Sequence, residues 1–214
     1  MSFWVLVFTL WVMDRIKAVI FDWGGVLIDD PAPGLMRYCA AALGAPVEAY
    51  MQANDVFGED FRRGLISECE YFRRVCGRLG APPAADGLWG QAFRHVYREK
   101  PEVFELVRRL RRRYKTGFLS NTETAAMAYF HELGYDMFDA LVFSCAEGLA
   151  KPQREIYELA LRRLAVAADE AVFIDDRADY VAGAAAAGLA TILFGGIEQV
   201  RAELAGLGVR VDWG

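Results

Sequence analysis

Histidine is nearly absent from this chain of 214 residues: His95 and His131 are the only two, too few and too far apart for the usual ligand spacing of a zinc site. Cysteine is scarce as well. Cys39, Cys69, Cys76 and Cys145 contain no C-x-x-C pair, which excludes a disulfide framework and fits a reducing cytosol, so a cytoplasmic location is expected. A surplus of positive charge is also missing. With Lys and Arg totalling 24 against 29 Asp and Glu, the net charge is −5, a poor balance for tracking the phosphates of a nucleic acid. Small anionic substrates remain compatible, because a local site can be positive inside an acidic protein.

The one basic run, Arg108 to Lys115, reads as a solvated helix end whose charges suit the helix dipole. Gly183 and Gly188 have the spacing of a phosphate loop without its Lys-Ser/Thr, so no such loop is expected there. Repeats, low-complexity tracts and linkers are absent, and proline is held to 7 residues. The uncharged run from Met1 to Met13 stops at Asp14-Arg15, short of the roughly 20 residues of a membrane-spanning helix. It lacks the basic start and small-residue cleavage site of a secretory signal. Two readings of it remain: upstream sequence before a natural start at Met13, or a genuine buried or membrane-touching extension.

What the chain does have is apolar residues, 55% of the total, enough for one substantial core. Lys17 to Phe21 is a β-branched and aromatic stretch ending at Asp22 and a glycine turn, which predicts a strand. From about residue 31 to 100 the pattern turns helical: Leu35 to Leu43, then a helix opened by the capping box Ser67-Glu-Cys-Glu70, then Trp89 to Glu99. The second half alternates. Strands are expected at Thr116–Leu119, Ala140–Phe143, Ala171–Ile174 and Thr191–Phe194, separated by helices at 102–113, 124–133, 154–164 and 178–187. Strands at helix-length intervals require crossover connections. The expected fold is therefore α/β, a doubly wound parallel sheet. Its core is built from residues 14–30 and 101–214, with a small helical cap (residues 31–100) inserted after the first strand.

Ligands of such sheets bind beyond the carboxyl ends of the strands. Those ends carry Asp22, Ser120 and the pair Asp175-Asp176, and Lys151 can reach the same rim. A single aspartate or serine there is commonly just a helix cap. Capping explains neither two adjacent aspartates at one strand end nor the Lys-Pro pair at another. Carboxylates from two strand ends can share a hard divalent cation such as Mg2+, which also relieves their repulsion. A lysine and a hydroxyl then suit the remaining oxygens of a phosphoryl group, and a carboxylate close to phosphorus can act as nucleophile.

Phe21-Asp-Trp-Gly-Gly-Val-Leu-Ile-Asp29, Leu119-Ser-Asn-Thr122, Ala150-Lys-Pro152 with Ile156-Tyr157, and Phe173-Ile-Asp-Asp176 occur in that order. Together they resemble the four motifs of the haloacid dehalogenase superfamily, over residues 14 to 196. Within it they resemble the branch of alpha-D-glucose-1-phosphate phosphatase and the phosphatase domain of soluble epoxide hydrolase. The resemblance implies Asp22 as nucleophile, Ser120, Asn121 and Lys151 as the phosphate-binding set, and a Mg2+ ion held by Asp22, the Gly24 carbonyl, Asp176 and Asp175. It implies a small phosphorylated metabolite as substrate.

Two positions depart from the pattern. Most phosphatases of that superfamily carry an acid–base aspartate where Gly24 stands, and an asparagine is frequent where Tyr180 stands. The missing aspartate leaves two alternatives beside the phosphatase: a metal-independent dehalogenase, whose halide leaves without a proton, or a catalytically weak phosphate-binding protein.

Overall fold

The computed structural model describes residues 15–210, so the N-terminal apolar run lies outside the described residues. The sheet has five parallel strands in the order β3-β2-β1-β4-β5: β1 (Ala18–Phe21), β2 (Lys115–Ser120), β3 (Ala140–Phe143), β4 (Ala171–Asp175) and β5 (Ala190–Leu193). Alternation along each strand serves two separate apolar layers. On one face, Val19, Phe21, Phe118, Val172 and Ile174 pack with α5 (Pro101–Leu110), α6 (Thr124–Leu133) and α10 (Ile197–Gly206). On the other, Ala18, Ile20, Leu119 and Phe173 pack with α8 (Arg154–Leu164) and α9 (Ala178–Ala186). The central strands are buried on both sides, which is why they read as unbroken apolar runs.

Between β1 and α5 lie four helices: α1 (Ala32–Ala42), α2 (Val47–Arg62), α3 (Glu68–Leu79) and α4 (Leu88–Val96). α1 packs on α2 and α4, α2 on α3, and α4 reaches the sheet layer through α6. The sequence pattern did not announce α2. It holds Asn54 and Gly58 in mid-helix, both weak helix formers. Tertiary contact explains them. A Cβ on Gly58 would stand 2.7 Å from Asn54 Oδ1. That oxygen accepts a hydrogen bond from Tyr71 Oη of α3 at 2.9 Å, and the Tyr71 and Tyr50 hydroxyls share another at 3.1 Å. The short α7 (Ser144–Glu147) and α10 were not anticipated either.

Other expectations are corrected at the ends of elements. The helix expected over 89–99 is Leu88–Val96, and that expected over 102–113 ends at Leu110. Only half of the predicted capping box forms. Ser67 Oγ accepts the Glu70 amide at 3.2 Å, but the Glu70 carboxylate turns to Arg73 and Arg74 at 2.7 and 2.6 Å. Charge-assisted bonds to two guanidiniums outcompete one backbone amide.

Candidate active site

The register of the sheet builds the site. β1 pairs with β4 as Phe21 with Ile174, and the ladder continues one step further through the Asp22 amide, which donates to the Ile174 carbonyl at 3.0 Å. Asp22 and Asp175 therefore leave adjacent strand ends side by side. This is also the point where the winding of the sheet reverses, with β2 on one side of β1 and β4 on the other. Asp22, Asp175 and Asp176 each offer a carboxylate oxygen within 4.8 Å of the others, the single such cluster among the described residues.

Lys151 joins two of these. Its Nζ lies 2.7 Å from Asp22 Oδ1 and 2.6 Å from Asp175 Oδ2, and exposure of the three residues is only 3%, 6% and 0% in that order. Burial pushes Asp22 up to about 7, with Asp175 adding to the rise and Lys151 opposing it. Burial also works against the charge on Lys151, but Asp22 and Asp175 outweigh it and hold its pKa above the ordinary lysine value. Asp176 is raised too, by partial burial and by its neighbours Asp175 and Asp30. A site with three crowded carboxylates and one ammonium has a deficit of positive charge.

Lys151 is aimed by its backbone. Asn121 accepts the Lys151 amide on Oδ1 at 2.8 Å and donates Nδ2 to the Lys151 carbonyl at 2.9 Å. The Asn121 side chain is thus engaged in holding Lys151, and its Nδ2 also reaches the Tyr180 hydroxyl at 3.2 Å. Tyr180, the second departure from the family pattern, stacks its ring under Lys151 Nζ at 4.9 Å and Arg177 at 4.4 Å. Its backbone carbonyl accepts Tyr157 Oη at 2.8 Å. Asp175 Oδ1 accepts the Arg177 amide at 2.9 Å, which turns the chain after β4 and leaves Asp176 exposed on the cleft. Ser120 ends β2, buried at 4% exposure.

The glycines after Asp22 have different reasons. Gly25 has φ +82°, and a Cβ there would sit 2.0 Å from Asp176 Oδ2, so the acidic cluster itself demands glycine. Gly24 meets only Pro31, at 3.0 Å.

These residues open into a cleft of 350 Å³ between the strand rim and the helical insert. Asp22, Gly24, Ser120, Asn121, Lys151 and Asp176 all line it, so of the residues singled out in the sequence only Asp175 lies beneath its surface. The insert contributes Leu35, Met36, Arg62, Trp89 and Phe93. Asp30, distant from Asp22 along the chain, returns to the cleft and spends one oxygen on the Ala32 amide at 3.0 Å. A larger hollow of 560 Å³ lies beside α3 and the loop after it, but none of its lining residues comes from the strand rim.

Sequence reasoning missed Glu123, directly after Ser-Asn-Thr122. It lines the cleft, is 6% exposed, and accepts Trp89 Nε1 on Oε2 at 3.0 Å. Burial pushes it up to about 7, against the opposing charge of Arg62. The signal was one of adjacency: a carboxylate three residues beyond a strand-end serine.

Strand-end carboxylates thus converge with a buried lysine at the reversal point of a parallel α/β sheet. Residues 16–188 match the family described as haloacid dehalogenase-like hydrolase, and the chain belongs to it. The chain is 29% identical over 190 residues to acyl-CoA dehydrogenase family member 10 of Mus musculus, covering 82% of this chain but only 18% of that protein. It is 27% identical over 176 residues to the sesquiterpene phosphatase astK of Aspergillus oryzae, covering 81% of this chain and 87% of the other. A family enzyme from Bacteroides thetaiotaomicron, crystallised with magnesium and inorganic phosphate, superposes with a TM-score of 0.71 at 22% identity, over 83% of this chain and 93% of that one. That likeness is one of fold. No helix among the described residues is long and apolar enough to cross a membrane.

Proposed function

We propose that this protein is a Mg2+-dependent phosphatase of a small phosphorylated metabolite, acting in the cytoplasm through an aspartyl-phosphate on Asp22. The observation that carries the reading is the buried Asp22 carboxylate, paired with Lys151 at 2.7 Å and clustered within 4.8 Å of Asp175 and Asp176. The chemistry of the donor set fits the metal: hard carboxylate oxygens from two strand ends, on a rim short of positive charge, beside the backbone of Gly24. Asp22, Asp175, Asp176 and the Gly24 carbonyl would hold the ion, which when bound supplies the positive charge a phosphoryl group needs.

The residues of the chain supply the rest. Asp22, in its ionised form, attacks phosphorus and the ester bond breaks. Lys151 neutralises charge on the phosphoryl oxygens while keeping Asp22 in place, and Ser120 donates its hydroxyl to one of those oxygens. Asn121 and Tyr180 hold Lys151 from its backbone and its far side. Water then displaces Asp22 and releases phosphate. The apolar walls at Leu35, Met36 and Phe93 suit a leaving group with carbon surface, and the 350 Å³ of the cleft suits a small one. A phosphatase relative and a structural neighbour crystallised with magnesium and phosphate support the same reading.

A panel of sugar, polyol and prenyl phosphates, assayed for phosphate release with Mg2+ and with chelator, tests it. Metal-dependent release is expected. Gly24 favours the dehalogenase alternative, so halide release from a 2-haloacid in chelator would overturn the reading. So would binding of phosphate without turnover, the mark of the weak phosphate-binding protein.

A further inference from the structure

A phosphatase with Gly24 in place of an acid–base aspartate has no proton donor at the usual point, yet an alkoxide leaves poorly without one. The cleft contains four carboxylates besides the buried Asp175. Asp22 is the nucleophile of the proposed reaction, Asp176 belongs to the acidic cluster, and Asp30 is solvent-exposed, where nothing favours keeping a proton, with one oxygen on the Ala32 amide. Glu123 is left. The segment from Ser120 to Glu123 lines the cleft without interruption, from the strand end to the helical insert. Glu123 stands at the insert side, where its carboxyl meets the Trp89 indole of α4 and the charge of Arg62 at the end of α2. In-line displacement sends the leaving oxygen away from the attacking atom. Asp22 attacks from the sheet, so the leaving oxygen faces the insert.

We propose that Glu123 is the acid–base residue of this site, protonating the leaving oxygen and later activating water. The inference rests on the phosphatase reading above. In the first step an Asp22 oxygen bonds to phosphorus, the bond from phosphorus to the leaving oxygen breaks, and that oxygen takes its electron pair and the Glu123 proton. In the second, the Glu123 carboxylate takes a proton from water as the water oxygen bonds to phosphorus. The bond to Asp22 breaks, inorganic phosphate leaves, and Glu123 is protonated again for the next cycle.

The surroundings hold the proton where it is needed. Burial, with a smaller push from Glu68 of α3, raises Glu123 to about 7 against Arg62, its own backbone amide and the Trp89 indole, all of which favour the ionised form. Cys39 of α1, Tyr71 of α3 and Cys145 of α7 also face it, and burial pushes each of them up, so all three are neutral at pH 7. Trp89 is fixed at both ends, its amide on Glu68 Oε1 at 3.0 Å and its indole on Glu123.

The test compares phenyl phosphate with p-nitrophenyl phosphate, esters of similar shape whose leaving groups differ in their need of a proton. In the Mg2+-loaded protein, Glu123→Gln is expected to lower kcat/KM for phenyl phosphate at least about tenfold more than for p-nitrophenyl phosphate. Equal losses for the two esters would mean a structural role only and would overturn the proposal while leaving the phosphatase reading intact. A wild type inert toward both esters would overturn both. A second measurement needs no variant. In the wild type, the ratio of phenyl to p-nitrophenyl rates should fall as pH rises past about 7 and Glu123 loses its proton. A flat ratio would overturn the assignment.

Discussion

The strand rim and the helical insert face each other across one cleft and are built on opposite principles. The rim is a backbone construction. Parallel ladders fix where each strand ends, and whatever side chain follows is delivered to the same edge, even three carboxylates that repel one another. The insert is a side-chain construction. Phe61 stacks on Tyr71 with ring centroids 4.4 Å apart, Trp89 meets both edge-on, and the hydroxyls of Tyr50 and Tyr71 satisfy each other and Asn54. Charge is therefore concentrated where the strand ladders end, and the insert wall is held by aromatic packing. Chemistry can be fixed on one wall while the other remains adjustable.

Substitutions on the two walls should separate these principles. The largest effect is expected from Asp22→Asn, which should lower phosphate release by at least about 10⁴-fold while circular dichroism shows the fold retained. Residual turnover of a few per cent would break the assignment of the rim as the chemical wall. Next, Lys151→Met leaves Asp22 and Asp175 buried without a counter-charge. Loss of one partner of a buried pair typically costs about 3–5 kcal/mol, readable by denaturant unfolding of the metal-free protein.

The pH dependence of the metal-free protein sharpens the same point. Burial raises Asp22 from 3.8 to about 7. Between those values the unfolded chain has given up a proton that the folded chain keeps, so stability falls as pH rises through the interval. Thermal unfolding of the wild type should lose ground to that of Asp22→Asn over this window, and parallel curves would refute the shift.

On the insert, Tyr71→Phe removes one hydroxyl from a buried network and is expected to cost about 1–3 kcal/mol. Phosphate release should persist in that variant. Ser67→Ala, which removes the one side-chain cap of α3, should cost only about 1 kcal/mol.

The same contrast explains what was legible in the sequence. Strand-end chemistry can be read because the ladder converts position into place. Once Phe21 and Ile174 are assigned to neighbouring strands, Asp22 and Asp175 must meet, and the motifs around them identify Lys151 and Ser120 as their company. The insert cannot be read so. α2 holds Asn54 and Gly58 against local propensity because a tyrosine from the next helix needs the oxygen, a fact stored in a contact rather than in a period. Glu123 was missed for a related reason. Its residue type is ordinary for a helix start, and only the arrival of Trp89 and Arg62 from the insert gives it a burial no local pattern shows. Tyr180, marked in the sequence as a departure, proves to meet Asn121 with its hydroxyl and Lys151 with its ring.

The continuation of the β1–β4 ladder through the Asp22 amide has an evolutionary consequence. The separation of Asp22 from Asp175 is set by the spacing of paired strands, about 4.8 Å, a quantity no side-chain exchange elsewhere can alter. Descendants of such a chain are free to rewrite the opposite wall, residue by residue, without recalibrating the reaction. Substitutions on the opposite wall then change what the cleft admits without moving Asp22 against Asp175.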